Sequence, residues 1–238
     1  MDIVMVTYNR LAFTKKVIEH LFERTKIPFG LIVVDNASRD GTQDYLNKLK
    51  DQGKLKRLIC SNENLGLQRA KNVAFEHVTS PLFVDTDNDC LCPDLEPSWL
   101  QKLETYMDKY KDFGAIALRP QVLVGVGPIF KDAKEIVENN VVGGSLRIMR
   151  RFLVQRVGGW SDDFENRQEE WNICGKIKKE GYKVGYTRDI FTYHMFGEPG
   201  TWGYEKGVEH YHNPASKIYA KDVEYDPITC EPRQRSNE

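Results

Sequence analysis

The fold is indicated first by residues 31–42, which read LIVVDNASRDGT. Four consecutive apolar residues are typical of a buried strand, and the polar loop after them leads into a segment of helical period that ends near Lys50. Asp40, or Ser38 just before it, is placed to cap this helix, and Gly53 is placed to end it. The segment predicts one strand–loop–helix unit of a sheet that is covered by helices.

The same unit recurs along the chain. In the first half, strands are predicted over residues 3–6, 55–59 and 81–84, and helices over 11–24 and 65–77. In the second half, strands are predicted over 115–118, 141–149, 182–186 and 190–194, and helices over 98–110 and 168–180. This alternation is typical of an α/β protein whose central sheet is mostly parallel.

Composition and charge exclude several classes of function. A chain of 238 residues fits one domain with one active site, and a formal net charge of -1 does not support a broad nucleic-acid-binding face. No apolar run approaches the roughly 20 residues that span a bilayer, and residues 1–4 lack the features of a signal peptide. We therefore expect a soluble, cytoplasmic protein.

The cysteines do not form a recognisable framework. They are Cys60, Cys90, Cys92, Cys174 and Cys230, an odd number without paired C-x-x-C motifs. Cys90 and Cys92 offer ligands for a soft metal, but because no further Cys or His lies nearby in the sequence, we favour buried or half-buried thiols.

Carboxylates are crowded after the predicted strand 81–84. Asp85, Asp87 and Asp89 form two overlapping D-x-D triplets, and carboxylates this close repel each other unless a cation neutralises them. Oxygen ligands favour Mg²⁺ or Mn²⁺, which keep coordination positions for substrate phosphates. An acidic turn that caps a helix is the alternative, and these residues alone leave both interpretations open.

Three further polar residues have two readings each. Asp35 ends the second predicted strand, where it accepts a hydrogen bond from a base or ribose, or forms a turn. Arg69 either neutralises a nucleotide or stays solvated. His194 follows a predicted strand and is either a metal ligand or a structural residue.

The second half of the chain contains candidate residues for the chemical step. Glu169 and Glu170 begin a predicted helix, where they serve as a general base or as partners of the helix dipole. Trp160, Trp171 and Trp202 are candidates for an aromatic platform under a sugar ring, although core packing is favoured for Trp160.

Combined, these motifs resemble the inverting family 2 glycosyltransferases from residue 2 to about residue 196. The matching segments are VTYNR (6–10), VVDNASRDGT (33–42), NLGLQRAKN (64–72), VDTD (84–87), GGW (158–160) and EEWNIC (169–174). The resemblance implies a GT-A fold, an α/β architecture with a Rossmann-like, mostly parallel central sheet flanked by helices and a smaller acceptor-side region. It also implies a nucleotide-binding half over residues 1–95, an acceptor and catalytic half over 96–196, and a C-terminal tail over 197–238.

The resemblance assigns roles residue by residue. It implies nucleotide contacts from Thr7, Tyr8, Asn9, Arg10, Asp35, Asn36, Arg69, Asn72 and Asp85. It implies a metal held mainly by Asp87, with Asp85 or Asp89 and with His194, and acceptor contacts from Glu169, Trp160, Trp171 and Trp202. Glu170 stands where the family usually has an aspartate as the catalytic base. The spacing from Asp85 to Pro93 is one residue longer than in the family, which leaves open whether Asp85 and Asp87 or Asp87 and Asp89 bind the metal.

The implied activity is a Mn²⁺- or Mg²⁺-dependent transfer of a sugar, with inversion, from a nucleoside diphosphate to an acceptor hydroxyl, with a UDP-sugar preferred as donor. A sugar nucleotidyltransferase is one alternative, but it typically has a Gly-rich, basic phosphate loop that residues 7–10 do not provide. A non-catalytic nucleotide-sugar or glycan-binding module is another, and the retained Asp87 and Glu170 argue against it. The residues do not indicate the sugar or the class of acceptor.

Overall fold

The computed structural model describes residues 1–120, 135–161 and 169–195. The strands within these ranges are β1 (Asp2–Thr7), β2 (Gly30–Asp35), β3 (Arg57–Cys60), β4 (Leu82–Asp87), β5 (Cys90–Leu91), β6 (Phe113–Pro120), β7 (Ile136–Asn139), β8 (Arg147–Arg150) and β9 (Lys183–His194). The helices are α1 (Leu11–Arg24), α2 (Thr42–Asp51), α3 (Leu67–Phe75), α4 (Trp99–Lys109), α5 (Arg151–Arg156) and α6 (Glu169–Lys179). Among these described helices, none is long and apolar enough to cross a bilayer.

A central sheet has the strand order β3-β2-β1-β4-β8-β6-β9-β5, with β7 paired to β9. Strands β3, β2, β1 and β4 are parallel, as the sequence predicted. Beyond β4 the sheet is mixed, because β8 runs antiparallel to both β4 and β6. The loop before β8 lies at the carboxyl end of β4, where the Asp87 amide donates to the Gly144 carbonyl at 3.0 Å. A strand that starts at this edge has to run back along β4.

Helices cover both faces of the sheet because side chains alternate along each strand. In β1, Ile3 and Met5 join an apolar cluster that includes residues of α1, α2 and α4. Val4 points to the other face and joins a cluster that includes residues of α3, α5 and α6. The carboxyl ends of the parallel strands are left open between these layers, which is where open α/β sheets bind ligands.

The second half of the chain departs from the predicted elements. The strand predicted over 141–149 begins only at Arg147, because the Gly143-Gly144 segment forms a loop. The two strands predicted over 182–186 and 190–194 are one strand, β9, whose polar interruption is absorbed by a register shift where the Thr187 hydroxyl donates to the Ile190 carbonyl at 2.6 Å. The sequence analysis did not predict β5, β7 or α5.

The cap of α2 also differs from the prediction. Gly41, with a left-handed φ of 90°, occupies the N-cap position, and no side chain caps it. Asp40 accepts instead from the Thr42 amide at 3.1 Å and from the Leu11 amide, at the start of α1, at 2.8 Å. One carboxylate therefore holds the first turns of two helices beside each other.

Asp2 ties β1 to the segments that precede β3 and β4. Its buried carboxylate accepts from Lys56 Nζ at 2.7 Å and from the amides of Thr79 and Ser80 at 2.8 and 3.1 Å. Burial opposes the ionised form, but these hydrogen bonds and the Lys56 charge lower the pKa of Asp2 to about 2. Folding therefore favours the charged carboxylate.

We expect Asp2→Asn to lower the free energy of unfolding at pH 7 by about 1–2 kcal/mol, since each unit of pKa shift corresponds to about 1.4 kcal/mol. Because folding lowers this pKa, the contribution is complete above about pH 4 and is lost as the pH falls towards 2. Urea unfolding across this range measures it, with Asp108→Asn on the exposed Lys111 ion pair as the control. Equal stability of the two variants at pH 7 would contradict the assignment.

Candidate active site

Three parallel strands end side by side and bring the predicted motifs to one edge of the sheet. The register pairs Thr7 of β1 with Asp35 of β2, and Val6 of β1 with Asp87 of β4. The loops that follow β1 and β2 and the acidic segment after β4 therefore surround one site.

The β1–α1 loop is held by the β2–α2 loop. The Asn9 amide donates to Ser38 Oγ at 2.7 Å, and Asn9 Oδ1 accepts from the Arg39 amide at 2.8 Å. Asn9 and Arg10 have left-handed φ values of 55° and 61°, which these bonds stabilise. Tyr8, between the two held ends, is 48% exposed and available to a ligand.

Thr7 and Asn36, which the sequence analysis predicted to contact a nucleotide, are buried and hold neighbouring segments. The Thr7 hydroxyl lies 2.9 Å from the Thr14 hydroxyl and accepts from Asn88 Nδ2 at 3.2 Å. Asn36 accepts from the Leu65 amide at 2.8 Å, and its Nδ2 donates to Asn64. Their described contacts shape the loops around the site.

Asp35 is fully buried at the end of β2. Its Oδ1 accepts from the Ser38 amide at 2.9 Å and from Gln43 Nε2 at 2.8 Å. Its Oδ2 is buried and has no hydrogen-bond partner among the described residues. A buried acceptor without a donor is costly, so Oδ2 is suited to accept from a bound ligand.

Asn72 and Trp160 form a structural pair. Asn72 donates to the Trp160 carbonyl at 2.8 Å and accepts from the Trp160 amide at 2.9 Å, while the Trp160 ring is 2% exposed and packs edge-on against Phe75. Gly159 has a φ of 67°, and a Cβ there would lie 2.3 Å from Asn72 Oδ1, so the contact requires glycine. Arg69 lies exposed on α3.

Beneath the acidic edge lies a buried network of two cations and two carboxylates. Lys71 Nζ contacts Asp85 Oδ2 at 3.0 Å and forms a shorter ion pair with Glu169. Arg147 Nη2 contacts the same Asp85 oxygen at 2.6 Å and Glu169 Oε1 at 2.8 Å. Side-chain exposure is 2% or less for all four residues. The network joins α3, β4, β8 and α6.

Mutual neutralisation keeps these four groups ionised despite their burial. Burial opposes each charge, but the carboxylates raise the pKa of Lys71 and of Arg147 above their ordinary values. The two cations in turn lower the pKa of Glu169. Asp85 and Glu169 are therefore already matched by cations, which leaves them less suited to bind a metal or an acceptor.

Asp87 has a different environment from Asp85. Its side chain is 32% exposed, and its Oδ1 lies 3.6 Å from Lys71 Nζ. Burial and the charges of Asp89, Asp85 and Glu169 raise the pKa of Asp87 to about 7, although Lys71 opposes the shift. A carboxylate with this excess of negative neighbours favours a bound cation.

Asp89 and His194 lie beside Asp87. Asp89 Oδ1 is 3.2 Å from His194 Nε2, and Asp89 Oδ2 is 3.2 Å from Arg10 Nη1. Burial opposes a charge on His194, but the hydrogen bond and charge of Asp89 raise the pKa of His194. The sequence left two D-x-D pairs open, and the contacts of Asp85 favour Asp87 and Asp89 for a cation.

Gly144 closes one side of this cluster. A Cβ at Gly144 would lie 3.0 Å from both carboxylate oxygens of Asp87 and from Lys71 Nζ. This close approach explains why the loop before β8 has glycine next to the acidic edge.

Glu170 and Trp171 follow Glu169 in the first turn of α6. Glu170 is half-buried, and its charge contributes with burial to raising the pKa of Tyr186 to about 12. Trp171 is 53% exposed and can contact an acceptor, unlike the buried Trp160. Trp202 lies outside the described residues.

Sequence reasoning assigned no role to Lys71 or Arg147. Lys71 lies inside a motif whose neighbours drew attention, and Arg147 lies in a segment interpreted as a strand. Arg147 between Leu146 and Ile148 was the available signal, because an arginine in a buried apolar run requires a charged partner.

Comparisons with known proteins agree with this architecture. A family model described as "Glycosyl transferase family 2" matches residues 2–165. The chain is 23% identical over 123 residues to an uncharacterized glycosyltransferase of Haemophilus influenzae, covering 52% of this chain and 37% of that protein. It is 30% identical over 90 residues to a teichoic acid poly(glycerol phosphate) polymerase of Staphylococcus epidermidis, covering 37% of this chain and 12% of that protein. The chain thus spans well under half the length of these relatives.

Solved structures show the same fold. The mannosyltransferase PcManGT of Pyrobaculum calidifontis, in complex with GDP-Man and Mn²⁺, has a TM-score of 0.69 at 22% identity, covering 84% of this chain and 57% of its own. S. aureus TarS 1–349 in complex with UDP has a TM-score of 0.65 at 17% identity, covering 81% of this chain and 59% of its own. The predicted GT-A fold is confirmed.

The buried network predicts a compensating pair of mutations. Arg147→Met leaves Lys71 between two buried carboxylates and should lower the free energy of unfolding by about 3–5 kcal/mol. Adding Glu169→Gln restores charge balance, so the double variant should be more stable than the sum of the single effects by about 1–3 kcal/mol. Urea unfolding of all four proteins measures this coupling.

The control is Lys111→Met, which breaks the exposed pair with Asp108 and should cost under about 0.5 kcal/mol. Strictly additive effects of Arg147→Met and Glu169→Gln would show that the two residues do not depend on each other.

Proposed function

Because this chain belongs to glycosyl transferase family 2, we propose that it transfers a sugar from a nucleoside diphosphate donor to an acceptor hydroxyl. The observation that carries the proposal is the acidic edge of the sheet. Asp87 is partly exposed there, next to Asp89 and His194, while Asp85 behind it is neutralised by two cations. This arrangement favours a cation at the edge where α/β sheets bind nucleotides.

The donor half of the site comprises the loops after β1 and β2. We assign the unpartnered Asp35 Oδ2 to a donor group of the base or ribose, with Tyr8, Asn9, Arg10 and Arg69 around the nucleotide. PcManGT was solved with GDP-Man, and TarS with UDP-GlcNAc, which supports a nucleotide-sugar donor for this chain as well. We retain a UDP-sugar as the first donor to test.

The side chains at the edge fit a hard divalent ion. Asp87 and Asp89 offer carboxylate oxygens, and His194 adds a nitrogen, a donor set that suits Mn²⁺ and leaves room for phosphate oxygens. When bound, Mn²⁺ or Mg²⁺ supplies positive charge that stabilises the departing diphosphate. Lys71 adds a fixed cation 3.6 Å from Asp87 and limits the negative charge of the pocket.

Glu170 is assigned as the general base. Glu169, directly before it, is anchored by Lys71 and Arg147, so the first turn of α6 is held against the acidic edge. Glu170 takes the proton of the attacking hydroxyl, which strikes the anomeric carbon opposite the leaving group and inverts its configuration. Trp171, exposed on the same turn, offers an apolar face to the acceptor.

The direct test is nucleotide release. Purified protein with Mn²⁺ and UDP- or GDP-sugars should release UDP or GDP, slowly to water and faster with an acceptor. Asp87→Ala should remove the Mn²⁺ dependence and lower release by roughly 10²-fold or more, because the departing charge loses its stabilisation. Asp108→Ala, which removes an exposed carboxylate from α4, is the control and should behave like the parent.

Nucleotide binding without any release would favour a binding module over an enzyme. An Asp87→Ala variant that releases nucleotide with the normal response to Mn²⁺ would exclude Asp87 as a metal ligand.

Replacement of Glu170 should separate binding from chemistry. Glu170→Gln keeps the size of the side chain but removes its basic oxygen, so turnover should fall by roughly 10²-fold or more while Mn²⁺-dependent nucleotide affinity is retained. Calorimetry and a coupled nucleotide-release assay measure the two quantities. Asp44→Asn, in the first turn of α2, is the matched control for a helix-dipole effect.

A role in the helix dipole alone predicts about 0.3–1 kcal/mol of lost stability and near-normal turnover for Glu170→Gln, as for the control. Lost nucleotide affinity would instead place Glu170 in the donor site.

A further inference from the structure

Cys90 lies directly beside the proposed cation site, although it is distant from His194 in the sequence. Strands β5 and β9 are antiparallel, and their register places Cys90 opposite His194. The amide of Met195 donates to the Asp89 carbonyl at 2.8 Å, which continues this pairing by one residue. The backbone therefore fixes three potential metal ligands, Asp89, Cys90 and His194, around one point.

The separations of the side-chain atoms suit a tetrahedral ion. The ligand atoms of Asp89, Cys90 and His194 all lie within 4.8 Å of one another. His194 Nε2 is 3.2 Å from Asp89 Oδ1, and Cys90 Sγ is 3.8 Å from the same oxygen. Tetrahedral zinc, with bonds of about 2.0–2.3 Å, requires separations of about 3.4 Å between nitrogen and oxygen and about 3.6 Å between sulfur and oxygen. The observed distances lie close to both.

Burial and charge around the three ligands also fit a metal site. Cys90 is fully buried, whereas the His194 side chain is 27% exposed, so one side of the cluster is open to an entering ion. Arg10 binds the other oxygen of Asp89 at 3.2 Å and orients the carboxylate, as outer partners of metal ligands commonly do. A thiolate, an imidazole and one carboxylate are a donor set that favours zinc-class ions over Mg²⁺.

The geometry points to a second use of this pocket: Asp89, Cys90 and His194 bind a zinc-class divalent ion with an open fourth position. Binding displaces the thiol proton and any proton on His194 Nε2 to solvent. This corrects the sequence-based expectation of an inert thiol, which relied on the absence of a nearby histidine. Cys92 keeps that role, because its sulfur donates to the His20 carbonyl at 3.3 Å.

A zinc-class ion in this position withdraws Asp89 and His194 from the cation that assists the diphosphate. Zn²⁺ should therefore inhibit the Mn²⁺-dependent reaction in a way that depends on Cys90. This inhibition rests on the proposed function, whereas the metal site itself is testable without any turnover.

The test uses Co²⁺ as a spectroscopic substitute for Zn²⁺ on the full chain and on Cys90→Ser and Cys92→Ser. The parent and Cys92→Ser should show the thiolate-to-cobalt charge-transfer absorption, and Cys90→Ser should lack it. Zn²⁺ displacement of Co²⁺ should show affinity for Zn²⁺ weakened by roughly 10²-fold in Cys90→Ser, since loss of even an outer partner of a ligand costs 10–100-fold. Cys90→Ala serves if the serine variant does not fold.

Co²⁺ binding without a thiolate band, or a band that persists in Cys90→Ser and vanishes in Cys92→Ser, would overturn the inference. Mn²⁺-dependent UDP binding, measured on the same proteins, should change by less than about threefold in Cys90→Ser because Mn²⁺ prefers oxygen and nitrogen ligands. A parent protein with the cobalt band but without Mn²⁺-dependent UDP binding would contradict the proposed function and leave the thiolate site standing.

Discussion

The pairing of Lys71 and Arg147 with Asp85 and Glu169 is the constraint on which the rest of the site depends. Four buried charges have to stay paired, because an unmatched ion in an apolar interior is far more costly than an unmatched apolar group. The four residues come from α3, β4, β8 and α6, so their pairing fixes how these elements meet. Asp87 lies two residues from Asp85, and Glu170 follows Glu169, so both proposed reactive carboxylates inherit their positions from the network.

The network also gives neighbouring carboxylates different chemistry. Asp85 is shielded by two cations, whereas Asp87 remains partly exposed among negative neighbours and Asp89 pairs with His194 and Arg10. We attribute the proposed cation affinity to the outer two aspartates for this reason. The same division separates Glu169, which positions α6, from Glu170, which is left to act on an acceptor.

The sequence predicted the first half of the fold well, because β1, α1, β2 and α2 are marked by local periodicity and by polar loops at strand ends. It did not predict the reversal at β8, since that direction depends on where the loop containing Gly144 meets β4. Local patterns also missed the partnership of Arg147 with Glu169 and of Cys90 with His194. Each joins residues that are brought together only by strand order and register, and spacing along the chain carries no signal for them.

The central claim is that a divalent cation at Asp87 and Asp89 links this chain to a nucleoside diphosphate. Crystals grown with Mn²⁺ and UDP, measured at the manganese absorption edge, test this most directly. The account predicts an anomalous peak in contact with Asp87 and Asp89, with the diphosphate bound to the same ion and the base or ribose within hydrogen-bond distance of Asp35. A peak bound by Asp85 instead of Asp89, or UDP bound away from this edge of the sheet, would contradict it.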